Sequence, residues 1–168
     1  MALVATLALL CAAAAAEPVP YARPPPGNRT FRSRAIDELI DALHPLLARG
    51  PFGADLANYF ANVLPNPLDT TVAIADGAND TFVITGDIDA MWLRDATNQL
   101  LPYLPYARDD AKLAALLCGA VRREARSVLL DPYANAFNPN ATGTGAALQH
   151  QDDVRTPPMT PAVFEGKY

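Results

Sequence analysis

Cysteine, histidine and tryptophan are nearly absent from this 168-residue chain, which has two Cys, two His and one Trp. So few cysteines make no disulfide framework. Cys11 falls in the leading apolar segment, which leaves Cys118 alone in the apolar helical context Leu116-Leu117-Cys118-Gly119-Ala120. A buried structural thiol is expected there, with a partner elsewhere as the alternative. The histidine shortage bears on metals: His150-Gln151-Asp152-Asp153 has ligand residue types but no second cluster to join it, so a polar surface loop is expected and no metal site. Thr142-Gly143-Thr144-Gly145 is not followed by Lys, which excludes a phosphate loop, and no cofactor is expected. No Ser or Cys stands in a recognisable nucleophile context. Charge is also scarce, at 18% against an ordinary level of about a quarter. The net charge of -5 and the absence of a basic cluster exclude nucleic acid as a partner. No apolar run reaches the about 20 residues of a comfortable membrane span.

Apolar residues make up 51% of the chain, enough for a sizeable core, and the length fits one domain. Leu3 to Ala16 is an unbroken small and apolar run ending in alanines before Glu17 and Pro18. It matches the apolar and cleavage regions of a secretory signal peptide, although no Lys or Arg precedes it. A disordered alanine-rich start and an uncleaved anchor are the alternatives. Three sequons, at Asn28, Asn79 and Asn140, add to the case for export as a glycoprotein. The expected location is therefore outside the cell or within the secretory pathway.

Residues 17–32, with Pro18, Pro20, Pro24, Pro25 and Pro26, read as a Pro-rich flexible lead. Helical periodicity starts at Ser33, a plausible N-cap, and carries Ile36, Leu39, Ile40, Leu43, Leu46 and Leu47 on one face. Pro45 is expected to kink or end it. A second helix is expected over Asp55 to Leu64, with Leu56, Tyr59, Phe60 and Val63 inward. Thr70 to Ala75 and Thr81 to Thr85 read as a β-hairpin around Asp76-Gly77-Ala78-Asn79-Asp80. A third helix is expected over Ala90 to Leu104, with Leu93, Thr97, Leu100, Leu101 and Leu104 on its apolar side. The longest is expected over Asp109 to Leu130, capped by Asp109 or Asp110, with a stripe of Leu113, Leu116, Leu117, Val121 and Val128. No period holds beyond Asp131, and Asn138 to Pro161 reads as a long polar loop. Val163 to Tyr168 reads as the start of an interrupted element.

The densest chemistry lies between Gly86 and Gln99: Asp87, Asp89 and Asp95, Arg94, two amides and the only Trp. Sugars are bound by such sets, the ring face on an indole and the hydroxyls on carboxylates, guanidinium and amides. Gly86 would let the strand turn sharply into the helix. Composition alone fits a solvated polar helix face with a core Trp better, and spacing does not decide between them.

The stretch Thr81 to Leu104, TFVITGDIDAMWLRDATNQLLPYL, closely resembles the signature of glycoside hydrolase family 125. Leu68-Asp69-Thr70-Thr71, Asp131 to Phe137 and Val163 to Tyr168 fit the same family in order, so the resemblance runs from about Leu56 to Tyr168. Ala96 stands where the family commonly has Ser, and Gly166 where a bulkier residue is usual. Both changes bear on fine specificity, not on membership. The resemblance implies a mainly α fold, an incomplete (α/α)6 toroid over 33–168 with a small β-hairpin before the motif helix, truncated at its C-terminus. It implies a metal-independent, inverting exo-α-1,6-mannosidase acting on mannose-containing glycans.

In such an enzyme an acid protonates the glycosidic oxygen while a base activates a water about 6.5–9.5 Å away. The resemblance implies that both lie downstream, so neither is expected here. Asp87, Asp89, Asp95 and Glu165 then read as substrate holders or framework. Arg94 and Asp95 are expected to grip the terminal mannose, with Asp87, Trp92, Asn98 and Gln99 next in rank. Tyr133, Asn135, Glu165 and Lys167 come third, where a bracing role fits equally. A partial toroid is expected to be inactive alone and poorly stable. The rival readings are a non-catalytic secreted mannoside-binding protein and a structural helical domain. Oligomeric state is not legible.

Overall fold

The structure, a computed structural model, describes residues 17–75, 79–134, 136–139 and 163–164. The signal-like segment, residues 76–78, Asn135, residues 140–162 with most of the expected polar loop, and the last four residues lie outside them. So do His150 to Asp153 and the Asn140 sequon.

Four helices and a hairpin share one core. Helix α1 (Arg34–Leu47) starts where Ser33 Oγ accepts from the Ile36 N–H at 3.3 Å. Pro45 sits in the last turn without ending it, and the helix closes two residues later with Ala48 N–H donating to the His44 carbonyl. A turn follows, and Gly53 takes a φ of 55°, a conformation that side-chain-bearing residues avoid. It opens helix α2 (Gly53–Val63). The inward residues of α2 are Ala57 and Ala61, with Phe60 partly buried, whereas Tyr59 and Val63 are exposed. This corrects the expected face: two alanines let α2 lie close on α1.

A π-helical turn, Pro67–Thr71, leads into strand β1 (Val72–Ala75), which pairs antiparallel with β2 (Asp80–Val83) in the register Val72 to Val83. The hairpin is thus as expected, except that Thr70 and Thr71 stay in the turn. The third helix is shorter than the pattern suggested. Helix α3 (Leu93–Leu100) starts after Trp92 and runs into a 3-10 segment, Leu101–Tyr106. Helix α4 (Ala111–Leu130) packs against β2. Asp110 is its cap, accepting from Lys112 and Leu113 N–H at 3.1 Å each. The same carboxylate accepts from Ser33 Oγ at 2.7 Å and the Ala35 N–H at 3.3 Å, so one side chain caps α4 and ties down the start of α1. Burial pushes the Asp110 carboxyl up, but the Ser33 hydroxyl and the three N–H donors outweigh it and hold it below the usual range.

The core gathers Ile36 and Ile40 of α1, Leu68, the hairpin residues Val72, Phe82 and Val83, Leu100 of α3, Tyr103, and Leu113, Leu116 and Ala120 of α4. Two expectations differ. Cys118 is exposed, because α4 turns its Leu113, Leu116 and Ala120 side to β2 and Cys118 falls off that side. Leu101, Leu104, Val121 and Val128, expected inward, are also exposed, so the 3-10 segment after α3 and helix α4 carry a second apolar face beyond the one that packs.

The Pro-rich lead differs most. Residues 17–32 form a strap fixed across α1 and α2. The Val19 N–H donates to Asp55 at 3.0 Å, the Ala22 N–H to Asn62 at 2.8 Å, and Asn58 and Asn62 donate back to the carbonyls of Val19 and Pro20. Arg23 grips Asp69 through Nε at 2.7 Å and Nη2 at 3.1 Å, and reaches Asp37 at 2.7 Å. Proline removes donors from the strap, so the helices supply side-chain amides and acids to complete it. Among the described residues no helix is long and apolar enough to cross a membrane.

Candidate functional site

The hairpin delivers the chain to the motif. Ile84 N–H extends the ladder to the Thr71 carbonyl at 2.9 Å, and the backbone then closes a compact loop. Its neck is Thr85, whose N–H and Oγ1 both point to the Ala90 carbonyl at 3.3 Å, while its Oγ1 accepts from Trp92 N–H at 3.3 Å. Inside the loop, Ala90 N–H returns to the Ile88 carbonyl at 2.7 Å. Ile88, Ala90 and Ala136 make a small apolar cluster with Trp92 packed on it. Met91 and Phe137 exchange both backbone hydrogen bonds, at 2.9 and 3.0 Å, and strand β3 (Ala136–Phe137) pairs in turn with β4 (Val163–Phe164). These distant pairings explain why the helix does not start at Ala90. Ile88 is buried as an anchor, so its neighbours Asp87 and Asp89 are left exposed.

The result is an open pocket of about 240 Å³ lined by Thr85, Gly86, Asp87, Ile88, Trp92, Arg94 and Asp95. Arg94 and Asp95 form the first turn of α3. Arg94 Nη2 donates to Asp95 Oδ2 at 3.1 Å, and the guanidinium is 80% exposed. A carboxylate in the first turn of a helix is also favoured by the helix dipole. Gly86 is not required by the turn, since its φ is not positive and an added Cβ would meet no atom within 4 Å. It leaves one wall of the pocket bare.

Of the residues singled out in the sequence, Asp87, Trp92, Arg94 and Asp95 come together. Gln99 lies beneath: its Nε2 donates to the Thr85 carbonyl at 3.0 Å, bracing the neck of the loop rather than lining the pocket. Asn98 is exposed on α3 outside the lining. Tyr133 is exposed on the turn after α4, with its N–H on Asp131 Oδ1 at 2.9 Å. Asn135, Glu165 and Lys167 lie outside the described residues. Thr85 and Ile88 line the pocket without having been singled out. The bend pattern around Gly86 was the only sequence signal for them.

A larger cleft of about 700 Å³ opens between the starts of α1 and α4, lined in part by Arg32, Arg34, Glu38, Asp41, Asp109 and Lys112. Within it Arg34 pairs with Glu38 at 2.7 Å and donates to the Asp109 carbonyl at 2.7 Å. It has no aromatic wall. The smaller pocket, with an indole, a guanidinium and two carboxylates facing solvent, has the chemistry of carbohydrate recognition. Among the described residues no group of three or more His, Cys, Asp or Glu could hold a metal ion.

Comparison with known proteins agrees with that class. Residues 53–168 match the family described as metal-independent alpha-mannosidase (GH125). The chain is 43% identical over 155 residues to the meiotically up-regulated gene 157 protein of Schizosaccharomyces pombe, covering 89% of this chain and 30% of that protein. It superposes with a TM-score of 0.67 and 35% identity on a solved metal-independent alpha mannosidase of Streptococcus pneumoniae, in a non-productive substrate complex with alpha-1,6-mannobiose. That match covers 83% of this chain and 30% of the solved one. The chain belongs to the glycoside hydrolases and, within them, to the GH125 α-mannosidase family. It spans about 30% of the length of the relatives it matches.

Proposed function

We propose that the chain is the N-terminal portion of a secreted or secretory-pathway α-mannosidase that removes terminal α-1,6-linked mannose from glycans with inversion. The observation that carries the reading is the Arg94–Asp95 pair at the mouth of the pocket beside Trp92, in a chain of this family. A salt-bridged guanidinium 80% open to solvent has donors to spare for sugar hydroxyls. In this reading Trp92 stacks on the sugar ring and Asp87, in the same lining, holds a hydroxyl. The mannobiose complex of the Streptococcus pneumoniae relative supports an α-1,6-mannoside as the ligand.

Inversion needs an acid and a base about 6.5–9.5 Å apart with a water between them. In this reading both come from sequence beyond Tyr168, and Asp87 and Asp95 hold substrate. Two features support an incomplete toroid. The pocket is smaller than the about 300–1,000 Å³ of complete small-molecule sites, and Leu101, Leu104, Val121 and Val128 form an apolar face without cover among the described residues. Residues 1–16 act as the export signal in this reading, and Asn28, Asn79 and Asn140 as glycan acceptors.

Two measurements test it. Deglycosylated native protein, detected with an antibody to Asp109 to Leu130, should run at several times the mass of this chain. A band at the chain's own mass sinks the fragment reading and favours a non-catalytic mannoside-binding protein. In the longer protein Arg94→Ala should slow mannose release from sub-saturating α-1,6-mannobiose by about 10- to 100-fold without unfolding. Undiminished release would remove Arg94 from the site.

A further inference from the structure

Thr81 carries a polar atom for which the described fold has no use. It sits in β2 with no solvent exposure, and its Oγ1 is buried without a hydrogen-bond partner among the described residues. An orphaned buried hydroxyl disfavours the folded state, whereas an apolar group of the same shape does not. Valine has that shape and a strong strand preference. The sequence offers the hydroxyl a role in the unfolded chain: Thr81 is the third residue of Asn79-Asp80-Thr81, an N-glycosylation acceptor.

The folded hairpin exposes only part of that acceptor. Asn79 is exposed in the turn at the end of β2. Asp80 is clamped to α4, by Arg123 at 2.6 Å and Arg126 at 2.7 Å. Thr81 is paired opposite Ile74. Freeing the three residues to lie in an enzyme site would break both ion pairs and the end of the β-ladder. The Asn28 acceptor is tied down in its own way: Thr30 Oγ1 donates to the Leu68 carbonyl at 2.9 Å, and Thr30 N–H to the Asp69 carbonyl at 2.8 Å. There the hydroxyl is also a fold element, so among the described acceptors Thr81 is the one that separates the two uses.

We propose that Asn79 is a glycosylated site and that its glycan is added before β2 closes on Thr81, the threonine hydroxyl being kept for that transfer at a cost to the finished fold. The inference rests on the secretory-pathway reading above. In the transfer, the Asn79 side-chain nitrogen bonds to the anomeric carbon of an oligosaccharide carried on a polyprenyl pyrophosphate. The bond from that carbon to the pyrophosphate oxygen breaks, the nitrogen gives up one proton, and polyprenyl pyrophosphate leaves. The glycan then projects from the hairpin tip, where Asn79 already faces solvent.

The test is to pass the whole chain, leader included, through a eukaryotic secretory pathway and count its N-glycans by partial endoglycosidase digestion. Asn28→Gln, Asn79→Gln, Thr81→Val and Thr81→Ser are run beside the wild type. Thr81→Val and Asn79→Gln should each lose the same single glycan, and Thr81→Ser should keep it. After deglycosylation, Thr81→Val should resist protease at least as well as wild type. Chain made without glycans in bacterial cytosol and offered to membranes bearing the transferase and its lipid donor should be modified at Asn79 only after unfolding in urea. The proposal is overturned if Asn28→Gln loses a glycan while Thr81→Val loses none. It is equally overturned if Thr81→Val loses protease resistance, which would give the hydroxyl a structural use, or if folded chain is modified as fast as unfolded. No glycan on any acceptor would instead remove the secretory-pathway reading on which it rests.

Discussion

Replacing Arg23 with alanine removes the centre of the strap's attachment. The Arg23 and Asp69 side chains are 5% and 1% exposed, and they meet in a bidentate pair. A second carboxylate, Asp37, lies 2.7 Å from the same guanidinium. Burial works against the charge of Arg23, but the hydrogen bonds and charges of Asp69 and Asp37 outweigh it and raise its pKa above the ordinary value. Breaking a buried pair by removing one partner costs about 3–5 kcal/mol, because the other charge stays buried. Arg29 remains 3.8 Å from Asp69 and 3.2 Å from Asp37, so the lower end applies, about 3 kcal/mol. A whole domain has only about 5–15 kcal/mol to lose. At about 2–4 °C per kcal/mol for a chain of this size, the melting midpoint should fall by about 6–12 °C. Circular dichroism melts of the 168-residue chain would show it. Arg23→Lys, which keeps the charge and loses the fork, should fall by less. Asp69 lies in the π-helical turn that leads into β1, so the loosened region should include the hairpin that carries the motif. A midpoint for Arg23→Ala within about a degree of wild type would refute the view that the lead braces the fold.

Other expectations follow from single side chains. Asp110→Asn should destabilise the chain by about 2 kcal/mol at neutral pH, since it weakens one cap and one charged tie to α1. The folded carboxyl titrates below its ordinary value, so its stabilisation is full above about pH 4 and fades as pH falls through the folded value. Melts of the two proteins should converge in acid. Glu124 behaves in the opposite sense. Desolvation in the apolar groove beside Leu104 and Val121 raises its pKa against the opposing hydrogen bond from Thr97, so its charged form costs stability at neutral pH. Glu124→Gln should therefore melt no lower than wild type at pH 7, with any advantage vanishing as pH drops below about 4. Arg94→Ala in the longer protein should raise the mannoside dissociation constant by about 10- to 100-fold, the loss of one charged hydrogen bond, with melting unchanged because the side chain is exposed.

Local signals carried well into the structure. Ser33 caps α1, Asp110 caps α4, and the Val, Ile, Thr and Phe runs form the hairpin, because each depends on residues within a few positions. Non-local bonds were not legible. Prolines suggested a loose lead, yet Asp55, Asn58, Asn62 and Asp69 hold it from 36 to 46 positions away. Periodicity placed the motif helix three residues early, because Met91 is drawn into a pairing with Phe137. The pattern of α4 reported an apolar stripe but not that Val121 and Val128 belong to a face left open. At the site, Trp92, Arg94 and Asp95 were legible as a dense polar run and meet in the pocket. Gln99 was chosen for the same polarity, but its amide is committed to Thr85, which no spacing rule reveals.

Inversion by the longer protein is read by proton NMR during turnover of α-1,6-mannobiose. With inversion, the first mannose released carries the β-anomeric signal, and the α-anomer grows only by mutarotation. Release of α-mannose first, or no release from a folded full-length protein, would contradict it.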